Sequence, residues 1–148
     1  MQLSGTVKDN VLVGENGWLF LWGGGHRQFD YLRGICTPDQ ATTQNFADNI
    51  ASRRAICAAR NLPYLHVVYP SKPIVMTDLL PSNLQNGVRS LFDYHFKPRL
   101  DSATQASVLY PKENLIAARL RSPVFSEHDT HMTNFGDKSW LGKSAQRG

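Results

Sequence analysis

T-P-D-Q-A-T-T-Q-N-F-A-D-N-I-A-S-R-R-A-I-C-A-A-R-N-L-P-Y-L-H-V-V-Y, residues 37–69, is the stretch on which the fold turns. Thr37 is able to cap a helix, Pro38 suits a first helical turn, and Gln40 stands three residues after Thr37, as a capping box requires. Phe46, Ile50 and Cys57, with Ala47 and Ala58, then recur at roughly helical spacing as far as Arg60. Pro63 cannot continue the ladder. The spacing predicts a helix over 38–60. Beyond it, Y-L-H-V-V-Y at 64–69 is a continuous β-rich run, the pattern of a buried strand. Helix then buried strand is the unit from which α/β folds with parallel sheets are built. His66, inside that run, reads as a core histidine rather than a ligand.

Toward the N-terminus, V-L-V-G-E-N-G-W-L-F-L, residues 11–21, predicts a hairpin. Val11–Val13 and Trp18–Leu21 are its arms, Asn16-Gly17 suits a turn with positive φ, and Trp18 and Phe20 are core candidates. Gly23, Gly24 and Gly25 lack the strand–turn–helix frame and the Lys-Ser/Thr of a phosphate cradle, and read as a flexible loop. Toward the C-terminus, Pro70, Pro73 and Pro81 mark 70–86 as a loop. A second helix is predicted over 87–101 from Val88, Leu91, Phe92 and Phe96, cut or kinked at Pro98. A strand follows at 107–110, then a third helix from Pro111 to about Leu120. Asn134 is a candidate cap for a last helix with Phe135, Trp140 and Leu141 on its apolar side.

A chain of 148 residues, 41% hydrophobic and 19% charged, is long enough to bury the core of one α/β domain without metals or disulfides. No apolar run is long enough to span a bilayer, and the first ten residues have no signal-peptide pattern. The net charge of +4 comes from basic residues that are scattered, with no block of five or six, which argues against nucleic acid as a partner. Cys36 and Cys57 flank the predicted helix, about 30 Å apart at its rise per residue, and read as free thiols.

H-D-T-H, residues 128–131, is the chemically suggestive stretch. In an extended segment residues i and i+2 share a face, which would put Asp129 and His131 on one side of the chain. A carboxylate beside an imidazole fixes its tautomer and stabilises the imidazolium formed when it takes a proton from a serine hydroxyl. The same residues also fit half a metal site, His128 with Asp129 and His131, or an unremarkable polar loop.

The order of these landmarks resembles the AlgX/AlgJ-type SGNH-hydrolase-like domains, implicated in O-acetylation of bacterial exopolysaccharides such as alginate. V-L-V-G-E-N-G-W-L-F-L is similar to the family's "G-x-x-G-W-L-F" opening. The 38–60 helix with L-H-V-V-Y-P-S-K, residues 65–72, is similar to its helix–strand–"P-x-K" block, and L-L-P at 79–81 to the "L-P" that follows. H-D-T-H-M-T-N-F-G, residues 128–136, resembles "D-T-H-W-x-x-x-G", with Met132 where the family has Trp. The resemblance implies a flavodoxin-like, three-layer α/β domain with a mostly parallel sheet, incomplete at its C-terminal end. It implies Asp129 and His131 as acid and base of a Ser-His-Asp triad that takes up an acetyl group and passes it to a sugar hydroxyl or to water. The family's serine lies well downstream; Ser139 and Ser144 come too soon, and Ser71 is the alternative at a strand end.

Lys72, after the same strand, is either a substrate-binding residue in the ligand crevice or a solvated loop lysine. No cofactor is implied. The implied partners are a polysaccharide or acetylated sugar and a membrane-bound acetyl-donor protein, and the implied location is the periplasm or cell envelope. Two other functions remain open: a non-catalytic carbohydrate-binding or assembly module of the same fold, and a metal-dependent hydrolase using His128, Asp129 and His131.

Overall fold

The structure is a computed structural model that describes residues 3–139. Three short strands, β1 (Val7–Lys8), β2 (Val11–Val13) and β3 (Leu19–Leu21), form an antiparallel sheet in that order. The predicted hairpin is its β2–β3 half, with Leu12 opposite Phe20. Its turn is a single 3-10 turn over Glu15–Gly17, made possible by positive φ at Asn16 and Gly17. Helix α1 (Gln28–Leu32), unforeseen in the sequence, places Phe29 and Leu32 in the core.

Helix α2 (Gln40–Ala59) fills most of the predicted span. Its cap is Asp39 rather than Thr37: the carboxylate accepts the Thr42 N–H at 2.6 Å. An ionised acceptor makes the stronger hydrogen bond, and here it sets the helix start. The buried face is Thr43, Ala47 and Ile50; Cys57 is half-buried, and both cysteines are free. Strand β4 (His66–Val67) follows and pairs in parallel with β5 (Val108–Leu109).

Between them the chain is mostly helical. Helix α3 (Lys72–Val75) and a 3-10 turn over Thr77–Leu79 occupy the predicted loop. The predicted 87–101 helix is instead a π turn over Phe92–Phe96 followed by a 3-10 turn over Lys97–Arg99. Pro98 is the cause, because it offers no N–H and its ring crowds the carbonyl four residues back. Helix α4 (Ser102–Gln105) is capped by Asp101, which accepts the Thr104 N–H at 2.7 Å. Helix α5 is Lys112–Ala118, and Arg119 just beyond it grips the Asp78 carboxylate and the Val75 carbonyl. Helix α6 (Asn134–Lys138) is capped by Thr133 rather than Asn134. Trp140, Leu141 and Ser144, expected on or near it, lie outside the described residues.

The mixed α/β character is as the sequence indicates, but a mostly parallel sheet is not. Among the described residues three of the five strands are antiparallel, and the parallel pair is two residues long. The prolines at 63, 70 and 111 bracket β4 and β5 closely, and each deletes a ladder donor. Two clusters carry the packing. The larger joins Leu12, Phe20, Phe29, Leu80, Leu115 and Val124; the smaller joins Ala47, Phe92 and Leu100 beneath Phe46 and Val108. Among the described residues no helix is long and apolar enough to cross a membrane.

Candidate functional site

Residues 123–133 form a narrow loop whose base is set by backbone bonds. Phe125 and Met132 make an antiparallel bridge, and the Thr133 N–H donates to the Val124 carbonyl at 2.8 Å. Phe125 is buried, and Met132 packs on the larger cluster, adding apolar bulk at the base of the loop. Glycine is required at Gly136, where an added Cβ would lie 2.4 Å from the Val124 carbonyl oxygen. That close approach seats α6 against the base of the loop.

At the tip, Asp129 and His131 meet. The Asp129 Oδ1 accepts the His131 backbone N–H at 3.0 Å and lies 2.8 Å from the ring Nδ1. The first bond is the local cause of the second. A carboxylate that accepts the N–H two residues on closes an Asx-type turn, which brings the side chain at i+2 back over it. The pair therefore shares a face, but through a turn rather than the extended segment the sequence suggests.

Electrostatics follow from these bonds. The His131 backbone N–H, then its ring, hold the Asp129 carboxyl below the usual carboxylate range, with weaker help from the charges of His131 and Lys72. With Nδ1–H donated to the carboxylate, Nε2 is left as the basic nitrogen. Both side chains are open, 61% exposed for Asp129 and 83% for His131. Asp129 also lines a shallow cavity of about 260 Å³ with Val11, Leu19, Leu21 and His128.

Lys72 lies beneath the same loop, 2% exposed. Its ammonium donates to the carbonyls of Leu19 at 2.7 Å, Asp129 at 3.0 Å and Glu127 at 3.1 Å. The Trp18 and Phe20 rings face it at 5.1 and 5.2 Å. Burial pulls its pKa down to about 8, against the opposing charges of Asp129 and Glu127. An ammonium has three donors, and all three are used. This setting corrects the solvated-loop expectation, and the three N–H groups are taken up by the protein's own carbonyls.

The other candidates lie apart. Ser71 precedes α3 and lines a separate, mainly apolar cavity of about 450 Å³ with Phe46, Val68 and Tyr110. Ser139 donates its hydroxyl to the Gly136 carbonyl. Among the described residues no serine hydroxyl is hydrogen-bonded to the His131 ring. His66 packs edge-on against Phe46, half-buried as a core histidine, and burial lowers its pKa. For the metal alternative, His128 sits 3.9 Å from Glu127, and no three histidine, cysteine or carboxylate side chains among the described residues converge as a metal shell needs. The sequence points to Asp129, His131 and the aromatic pair Trp18–Phe20. It gives no sign of what Lys72 touches, because all three partners are backbone carbonyls.

The chain matches no protein-family model and no curated protein. In fold it is similar to the solved O-acetyltransferase domain of Pseudomonas putida AlgJ, with a TM-score of 0.52 and 22% identity over 93% of this chain. It spans 48% of that chain. At that identity the likeness is one of architecture: the protein is built like about half of an O-acetyltransferase domain, with a carboxylate–imidazole pair at the tip of an exposed loop.

Proposed function

We propose that the chain supplies the Asp–His half of an SGNH-type acetyl-transfer site. The observation that carries the reading is the 2.8 Å contact between Asp129 Oδ1 and His131 Nδ1, locked by the 3.0 Å bond to the His131 backbone N–H. Asp129 holds the imidazole with Nε2 free to act as base. A serine hydroxyl from outside the described residues loses its proton to Nε2 as its oxygen attacks an acetyl carbonyl. His131 returns the proton to the departing alkoxide, leaving the acetyl group as a serine ester. A sugar hydroxyl, or water, then attacks that ester by the same proton transfers in reverse. The likeness to an O-acetyltransferase domain, of which the chain spans about half, supports this reading.

On this reading the domain is a flavodoxin-like, three-layer α/β fold with β4 and β5 in its central sheet. The substrate is a polysaccharide or an acetylated sugar in the periplasm or cell envelope, and for transfer the acetyl donor is a membrane-bound protein. In the protein that carries this chain, His131→Ala lowers hydrolysis of p-nitrophenyl acetate at least about a hundredfold, the ordinary weight of a general base. Unchanged hydrolysis would remove the pair from catalysis.

A second reading, a non-catalytic carbohydrate-binding or assembly module, is favoured by the absence of a serine bonded to His131 among the described residues. The two part on one measurement. A serine-directed sulfonyl fluoride leaves a covalent adduct, seen by mass spectrometry, only if a nucleophile completes the site.

A further inference from the structure

Every residue from Ser126 to His131 is exposed. The tip of the loop therefore has no buried side chain of its own to hold it, and its order has to come from backbone bonds. Its polar anchors to the body of the protein come from two sources. One is the Leu19 N–H, which donates to the Glu127 carbonyl at 2.9 Å. The other is the Lys72 ammonium, which bonds the carbonyls of Glu127 and Asp129 and, from below, that of Leu19. We propose that Lys72 is the positioning residue of the Asp129–His131 pair. It fastens the loop backbone on either side of His128 to the edge of β3, and so fixes the turn in which the carboxylate meets the imidazole.

Three observations carry this. Lys72 is almost wholly buried, a costly place for an ammonium unless each N–H has an acceptor. Each does, and two of the three acceptors belong to the loop that bears the pair. The Asp129 carbonyl it holds belongs to the residue whose carboxylate closes the turn, so fixing that peptide sets where Oδ1 lies relative to His131. The Trp18 and Phe20 rings face the ammonium, which suits a fixed cation. The lowered pKa of Lys72 agrees with a group held in place at the cost of hydration. The consequence for catalysis rests on the acetyl-transfer reading; the consequence for geometry does not.

The test reads the His131 ring directly. In ¹⁵N NMR of the wild-type protein, Nδ1 carries the signature of a protonated, hydrogen-bonded nitrogen and Nε2 that of a basic one. In Lys72→Met, which keeps most of the side chain's length but has no donor, the two ring nitrogens move toward the exchange average of a free imidazole. Lys72→Arg, which keeps the charge and several donors, restores part of the difference. A wild-type ring signature in a folded Lys72→Met protein overturns the proposal.

If Lys72→Met does not fold, the wild-type protein decides. Raising the pH from 7 to 9.5 takes the lysine from ammonium to neutral amine, with two N–H groups for three carbonyls. The charged groups facing it are Asp129 and Glu127, and the Trp18 and Phe20 rings carry no titratable group. Exchange of the His131 backbone N–H beyond its intrinsic pH dependence is then expected; purely intrinsic behaviour overturns the proposal. Activity separates the two ideas. Where the pair is catalytic, Lys72→Met lowers kcat for p-nitrophenyl acetate by roughly tenfold to a hundredfold with little change in KM, the scale of a misplaced group. A lost ring signature with unchanged kcat upholds the positioning role and sinks the acetyl-transfer reading.

Discussion

The tip of the 123–133 loop and the floor beneath it lie a few bond lengths apart and are built on opposite rules. At the tip, Asp129 and His131 are open to water and joined by one local turn. In the floor, Phe20 and Lys72 are at most 2% exposed and every donor of the lysine is engaged. Exposure leaves the imidazole accessible to a reacting partner. Burial holds the loop in register with the sheet. The difference implies a division of labour: floor changes should cost stability, and tip changes should cost chemistry.

The largest effect expected from that division is on the floor. Phe20→Ala empties a site against Leu12 in the main cluster and should lower unfolding free energy by about 3–5 kcal/mol in a urea titration. A loss under 1 kcal/mol would erase the contrast.

Next comes the pH dependence of Lys72. Unfolded, it keeps an ordinary lysine's hold on its proton; folded, it releases the proton near pH 8. Between those values the unfolded chain binds more protons, so raising the pH favours the folded state. Below pH 8 the full cost of burying the charge is present. Stability should rise by about 1–2 kcal/mol from pH 8 to 9.5, and the rise should vanish in Lys72→Met. A wild-type curve that falls over that range would contradict a buried ammonium.

A smaller effect belongs to neither region and calibrates both. Asp39→Ala removes the α2 cap and should cost about 1 kcal/mol by thermal denaturation. Smallest is the effect at the tip itself. His131→Ala should shift unfolding free energy by less than about 0.5 kcal/mol while abolishing most of the proposed activity, because its side chain is 83% exposed. A large loss of stability there would show that the loop holds the fold rather than being held by it.

The same division explains what the sequence makes legible. The hairpin at 11–21, helix α2, the β4 and β5 segments and the D-x-H pair all announce themselves through side-chain type and spacing. The cap of α2 does not, because Thr37 and Asp39 are both good caps and only three-dimensional hydrogen bonding chooses between them. The segment after Ser90 misleads because its apolar spacing is helical while Pro98 forbids the regular ladder. The short helices α1 and α4 are hidden because a turn or so of helix gives too little periodicity to read. Lys72 is the deepest case. Its three acceptors are peptide carbonyls of Leu19, Glu127 and Asp129, groups that every residue carries, so no choice of amino acid at those positions advertises the bond.

Gly136 gives the architecture a built-in feeler gauge. At Gly136 there is room between α6 and the Val124 carbonyl for a hydrogen atom but not for a Cβ, which would lie 2.4 Å from the carbonyl oxygen. Even a methyl group inserted there acts as a shim against Val124, next to the Phe125–Met132 bridge that closes the base of the loop. The seat of the whole loop is thus set by a residue that has no side chain.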